Sequence, residues 1–322
     1  MLLVGNGALI TRDPENPFIK DGCVAINGTS INSVGATAEM RAKYPAAKFI
    51  DAKGGLIMPG FINSHMHFYS TFSRGMNVPG EPAQDFSGVL EKLWWRLDKA
   101  LTLRDCYYSA ITALVDAVKC GCTTVIDHHA SPHAVSGSLC EVAKAAREAG
   151  IRTSTCYEVS DRDGQKIAYE GIKENIAFLD WAERENDPMI SGKFGLHASF
   201  TLSDQTLENV PRGDERTEGR LPRPCRRGTV GRGRLRRRNT ANASWRGLMI
   251  SDSRGLVPSS STASISTTGQ RALLKETGTA VAHNPESNMG NAVGAANDNG
   301  AHGRRNNSGA GRPTATSATC CN

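Results

Sequence analysis

The sequence predicts an α/β protein: an incomplete (β/α)8 barrel of the TIM type, preceded by a small N-terminal β-sandwich-like domain. Three observations predict it. Short strand patterns joined by turns fill residues 1–55. Strand and helix patterns then alternate to residue 210, as consecutive βα units around a parallel sheet require. Beyond that point the alternation stops. A chain of 322 residues has room for such a barrel and a second small domain, so the shortfall lies in the pattern and not in the length.

In the first segment, Leu2–Ile10 is a strand pattern, and Cys23–Ile26 runs into the turn pair Asn27-Gly28 before Ser30–Val34 returns as a hairpin. Leu56–Ile62 is an apolar run of the kind that is buried in parallel sheets, and it leads into His65 and His67. Leu90, Leu93, Trp94, Leu97 and Leu101 recur at helical spacing, and Thr102 caps a helix that ends at Gly121. Thr123–Asp127 is the next barrel strand, followed by His128, His129 and His133, which are expected as solvent-facing loop residues with no assigned role. A helix over Leu139–Ala149 stops at Gly150, Ile151–Glu158 is a strand, and a helix spans about Gln165–Glu185 with Ile167, Ile172, Ile176 and Leu179 inward. Phe194–Ala198 is expected as the fourth barrel strand, ending at His197, with Ser203 capping the next helix.

Composition divides the chain at the same place as the pattern. The net charge of +6 combines a net of −5 over residues 1–210 with a net of +11 over residues 211–322. Nine cysteines without regular spacing, and no charged-then-apolar leader, predict a reduced, cytoplasmic protein. No apolar run approaches membrane-spanning length, so no membrane partner is expected.

The chemistry-bearing stretch is Gly54–His67. Residues two apart on a strand point to one face, so the imidazoles of His65 and His67 can converge on one ion at the strand's carboxyl end. With Pro59-Gly60-Phe61-Ile62-Asn63 in front, the stretch resembles the signature that opens the barrel of the amidohydrolase superfamily. Residues 1–210 as a whole are similar to the SsnA-type aminohydrolases, which belong with chlorohydrolase-like enzymes in that superfamily. The resemblance implies a metal-dependent hydrolase of carbon–nitrogen bonds other than peptide bonds, with His65 and His67 binding zinc or iron. It implies a small aminated or halogenated heterocycle as substrate, His197 as a substrate contact, and a homo-oligomer in the intact family. It also implies that strands from both chain ends build the N-terminal domain.

From Pro211 to Ser266 there are thirteen arginines, no lysine and no strand or helix period, so this stretch is expected to be disordered and to add nothing to a core. It reads as a basic arm for nucleic-acid phosphates, or as coding sequence translated out of phase. Codons for Leu221–Gly228, read one nucleotide later, can give Tyr-His-Val-His-Val-Ala-Glu, which resembles the superfamily's fifth strand, where His binds metal and Glu moves protons. Codons for Val257–Thr267, read two nucleotides later, can give Pro-Val-Val-Val-His-Cys-Ile-His-Ile-Asp, similar to its sixth strand. Codons for Arg312–Asn322 can give Thr-Asp-Ser-Tyr, similar to the end of the eighth, whose Asp binds metal. Ala272–Met289 is back in phase: Asn284, Pro285, Ser287 and Asn288 resemble the seventh-strand element that lines the substrate pocket, so Asn284 and Ser287 are substrate-binding candidates.

The expected organisation is therefore residues 1–55 as the β-domain, 56–210 as the first βα units, 211–270 as out-of-phase sequence, 271–295 as an isolated later element, and 296–322 as an out-of-phase tail. No residue can be assigned the catalytic Glu or Asp role, and two imidazoles fall short of the three protein ligands of a catalytic zinc site. The chain as written is expected to be inactive.

Overall fold

The computed structural model describes residues 1–76 and 79–210. The elements expected from residues 211–322, with Asn284 and Ser287, lie outside the described residues. Two compact units divide after Gly60.

The first unit is one five-stranded sheet with one helix. Its elements are β1 (Leu2–Ile10), β2 (Phe18–Asn27), β3 (Ser30–Ala36), α1 (Thr37–Lys43), β4 (Lys48–Asp51) and β5 (Leu56–Ile57). The strand order is β3-β2-β1-β4, with β5 pairing the far end of β1. β1 alternates strictly between half-buried and buried residues, which places Leu3 and Leu9 on one buried face. That face packs Leu3 with Cys23, Ala25 and Met40. The β2–β3 hairpin turns where the sequence places it, with Gly28 at φ +60° supplying the left-handed conformation.

Here the structure corrects one strand. Leu56–Ile62 is not a single buried strand: Leu56 and Ile57 pair with β1 in the first sheet, and the second unit's first strand begins at Phe61. Pro59 has no N–H to give a ladder, and Gly60 has no side chain to pack, so the apolar run breaks there. Leu56, Phe61 and Ile62 are all exposed.

In the second unit, β6 (Phe61–Met66), β7 (Cys122–His129), β8 (Arg152–Tyr157) and β9 (Ile190–Gly192) form a parallel sheet in sequence order. Between β6 and β7 run a 3-10 turn (Phe68–Ser73), α2 (Phe86–Val89), a π-helical turn (Leu90–Trp94), α3 (Trp95–Ala100) and α4 (Leu103–Lys119). α5 (Ser138–Ala149) and α6 (Gln165–Glu185) make the next two crossovers, and α7 (Asp204–Glu208) follows β9. α4 starts on a full capping box: the Thr102 hydroxyl accepts from the Asp105 N–H while the Asp105 carboxylate accepts from the Thr102 N–H. α5 ends on Gly150 at φ +69°, and Ser203 caps α7. Small residues on the inner faces of α4 and α5 (Ala110, Ala113, Ala143, Ala146) bring both helices close, around Leu114, Val125, Leu139 and Val142.

The fourth strand is a second correction. β9 is Ile190–Gly192, and of Phe194–Ala198 only Leu196 forms a bridge, to Val159. The buried amide of Asn175, from α6, takes the place of the ladder between: its Oδ1 accepts the N–H groups of Tyr157 (2.9 Å) and Gly195 (3.2 Å), and its Nδ2 donates to the Tyr157 carbonyl (2.8 Å). Gly195 lies so close to β8 that a Cβ there would stand 2.5 Å from the Tyr157 carbonyl oxygen.

Candidate metal centre at the carboxyl end of the parallel sheet

β6 carries His65, and the chain turns out of the strand at His67, which starts the 3-10 turn with φ −129° and ψ 88°. The buried Asn63 fixes the approach by accepting the His65 N–H at 3.2 Å. Asp127, fully buried on β7, fixes the exit: its Oδ1 accepts the Phe68 N–H at 2.8 Å and its Oδ2 the Thr155 hydroxyl at 2.8 Å. Burial pushes the Asp127 carboxyl up to about 7 in spite of those two hydrogen bonds.

The two histidines come together as their spacing predicts, with ring centroids 4.7 Å apart and planes nearly perpendicular. His67 Nδ1 lies 2.9 Å from the His128 carbonyl oxygen. A carbonyl only accepts, so Nδ1 carries the proton and Nε2 keeps its lone pair. That tautomer is the one a metal-binding imidazole takes when an oxygen orients it from behind. Glu158 Oε1 is 3.8 Å from the same Nδ1, and its side chain is buried. Burial first, then neighbouring imidazoles, holds His65 well below the usual histidine range, and burial lowers His67 too. Both rings are neutral near pH 7, as ligation requires.

His128 and His129 are corrected. Neither is a solvent-facing loop residue: β7 runs two residues past Asp127, pairs them with Cys156 and Tyr157, and buries both, leaving only His133 exposed. His129 Nε2 is 2.9 Å from the Ser131 hydroxyl, which itself donates to the Ala134 carbonyl, so Nε2 is the donor in that pair. His128 stands with its ring centroid 4.4 Å from that of His65.

His197 is half-buried at the far side of the sheet. Its N–H donates to the Val159 carbonyl, and Nδ1 lies 2.8 Å from the Thr201 hydroxyl. Because that hydroxyl donates to the Ala198 carbonyl, Nδ1 carries the proton and Nε2 is left as an acceptor. Burial, with help from Arg162 and His67, lowers His197 to about 3.

Sequence reasoning missed Asp127 and Glu158, although polar residues at the carboxyl ends of barrel-type strands are where site residues gather. Among the described residues no three His, Cys, Asp or Glu side chains form a ready metal cluster. His65 and His67 thus fit a divalent ion, but only as part of its ligand set. No helix among the described residues is long and apolar enough to cross a membrane.

Residues 56–212 match the amidohydrolase family. The 5'-deoxyadenosine deaminase of Methanobrevibacter smithii is 33% identical over 206 residues, covering 63% of this chain and 43% of that protein. The 5-methylthioadenosine/S-adenosylhomocysteine deaminase of Thermococcus sibiricus is 29% identical over 208 residues, 64% of this chain and 45% of that protein. The chain therefore spans less than half the length of these curated relatives. Among solved structures, an adenosine deaminase from Xanthomonas campestris with bound zinc superposes with a TM-score of 0.65 at 19% identity, covering 94% of this chain and 66% of that one. Atrazine chlorohydrolase from Arthrobacter aurescens, complexed with zinc, gives 0.66 at 18% identity, covering 94% and 69%.

Proposed function

We propose that the chain, whose residues 56–212 match the amidohydrolase family, is built for metal-dependent hydrolysis of carbon–nitrogen bonds other than peptide bonds, in a small aminated or halogenated heterocycle. The observation that carries this reading is the His65–His67 pair, held 4.7 Å apart at the carboxyl end of a parallel sheet with His67 in the ligand tautomer. A divalent ion held there, zinc or iron, supplies a bound water of lowered pKa near neutral pH. The chain's own part is to keep both imidazoles neutral by burial, to aim His67 through the His128 carbonyl and the Asp127–Phe68 bond, and to offer His197 Nε2 as an acceptor for a substrate N–H. The relatives that act on adenosine derivatives favour a purine-like ring as that substrate. The sheet is read as the first half of a (β/α)8 barrel, and the protein as cytoplasmic.

A second reading is favoured by where the family match stops. It ends at residue 212, at the start of the stretch where thirteen arginines replace the strand and helix pattern. On this reading residues 211–270 and 296–322 are out of phase, the catalytic Glu and Asp are missing, and the chain as written is an inactive fragment of such an enzyme. Losing general acid–base groups alone costs roughly 10²–10⁴ in rate. We expect no detectable turnover on a panel of aminated and chlorinated heterocycles from the chain as written, and turnover from a gene in which the shifted phases are restored. Equal turnover from both would show that the catalytic groups are not in the lost frames; none from either would remove the hydrolase reading.

A further inference from the structure

We propose that Arg162 is a specificity-determining residue: its Nη1 donates to a ring carbonyl of a neutral, oxo-substituted aminoheterocycle, while His197 Nε2 accepts from a ring N–H of the same substrate. This rests on the reading of His197 given above and deepens it, because it fixes what else the substrate carries.

Arg162 is a guanidinium held in one place. Its Nη2 is paired with the buried Asp98 carboxylate, its Nε lies 3.2 Å from Asp163 Oδ2, and its central carbon stands 5.3 Å from the centre of the Trp95 ring. Nη1 has no hydrogen-bond partner among the described residues and, unlike Asp98 Oδ1, is not sealed in by its neighbours. A planar fork already fixed by two carboxylates loses little freedom when a ligand takes its remaining N–H groups.

The backbone brings this donor beside His197. Val159 and Leu196 form a bridge, the His197 N–H donates to the Val159 carbonyl at 2.9 Å, and the Asp161 N–H donates to the Thr201 carbonyl at 2.9 Å. Thr201 also holds His197 Nδ1, so the segments that carry Arg162 and His197 are bonded on both sides of the pair. The Arg162 charge helps to keep His197 neutral and also reaches Tyr69, whose ring centroid is 5.6 Å from that of His67.

Charge selects the group that Nη1 takes. Lys99 Nζ holds Asp163 Oδ1 at 2.7 Å, so two cations face two carboxylates and no positive charge is left over. A substrate carboxylate or phosphate gains no net attraction in such a cluster, whereas a neutral carbonyl needs only the N–H.

Equilibrium dialysis of the full chain at low concentration compares hypoxanthine, which has a ring carbonyl beside a ring N–H, with purine, which has neither. Wild type should bind hypoxanthine at least ~10-fold more tightly, the value of one hydrogen bond to a charged group. Arg162→Lys should lose that advantage and leave the purine affinity unchanged. The double variant Arg162→Met with Asp98→Asn should do the same without stranding a buried carboxylate, and far-UV circular dichroism checks each fold. Equal affinities in wild type, or a preference that survives both variants, overturns the assignment. If His197→Ala loses hypoxanthine while both Arg162 variants keep it, the heterocycle reading stands and Arg162 is only the partner of Asp98. If wild type binds neither base, both readings fall.

Discussion

Asn175 shows how much of this fold depends on single polar atoms. It is 0% exposed, and its amide serves both the N–H and carbonyl of Tyr157 and the N–H of Gly195. An alanine there leaves the N–H groups of Tyr157 and Gly195 buried and without that acceptor, at about 1–3 kcal/mol each where water cannot reach them, while the Tyr157 carbonyl keeps the Val159 N–H. We expect Asn175→Ala to lose roughly 3 kcal/mol or more in urea unfolding at low protein concentration. Asn175→Asp should lose a comparable amount, because it keeps the acceptor but puts a charge where Nδ2 was a donor. A loss within about 0.5 kcal/mol, the range of an ordinary surface change, would show that the amide is not what joins Gly195 to β8. The same residue explains why Phe194–Ala198 looks like a strand in sequence and is not one. Its apolar residues sit against α6, but between Tyr157 and Gly195 the ladder is interrupted by a side chain, and no periodicity reports that.

At the level of elements, α3 is tied to the segment after β8 by charge. Asp98 on α3 is fully buried and ion-paired with Arg162, whose guanidinium also lies over the Trp95 ring and bonds Asp163 at 3.2 Å. Burial outweighs Arg162, so the Asp98 carboxyl is raised to about 6, and its Oδ1 has no hydrogen-bond partner among the described residues. The two halves of the pair therefore differ in cost. Arg162→Met strands a buried carboxylate and should cost about 3–5 kcal/mol near pH 7, whereas Asp98→Asn leaves Arg162 with Asp163 and should cost less. The sign with pH follows. A carboxyl raised in the folded state binds its proton there before the unfolded chain does, so folding gains stability as pH falls from about 6 toward 4. Measured against Asp98→Asn, wild type should thus gain stability between pH 7 and pH 5; a difference that is flat or falls over that range would contradict the burial of this carboxyl. Helix boundaries in this region were legible because Thr102, Gly150 and Ser203 are chemical stop and start signals. The burial of His128 and His129 was not, because two polar residues at a strand end carry no hydrophobic signal of their own. The metal pair His65 and His67 was legible from its spacing, while the groups that aim it, the His128 carbonyl and Asp127, come from a strand 61 and 59 residues further along from the groups they hold.

On the scale of the molecule, the parallel sheet has two outer strands, and among the described residues β6 pairs only with β7. β6 exposes Phe61 and Ile62, at 48% and 55%. An exposed apolar edge strand is a template for pairing with another chain. We expect the chain as written to self-associate with rising concentration in sedimentation, and Ile62→Lys to shift it toward monomer; a monomeric wild type with a sharp unfolding transition would count against this. The strand order has one more consequence, for a chain that is still being made. β7 pairs with β6, β8 with β7 and β9 with β8, so every strand's partner has left the ribosome before the strand itself emerges. At roughly 5–20 residues per second a βα unit appears every few seconds, slowly enough for helices and neighbouring strands to dock in turn. The histidine pair and the carbonyl that orients it would be assembled on the nascent chain before translation enters the arginine-rich stretch, and a shift of reading phase there would come too late to disturb them.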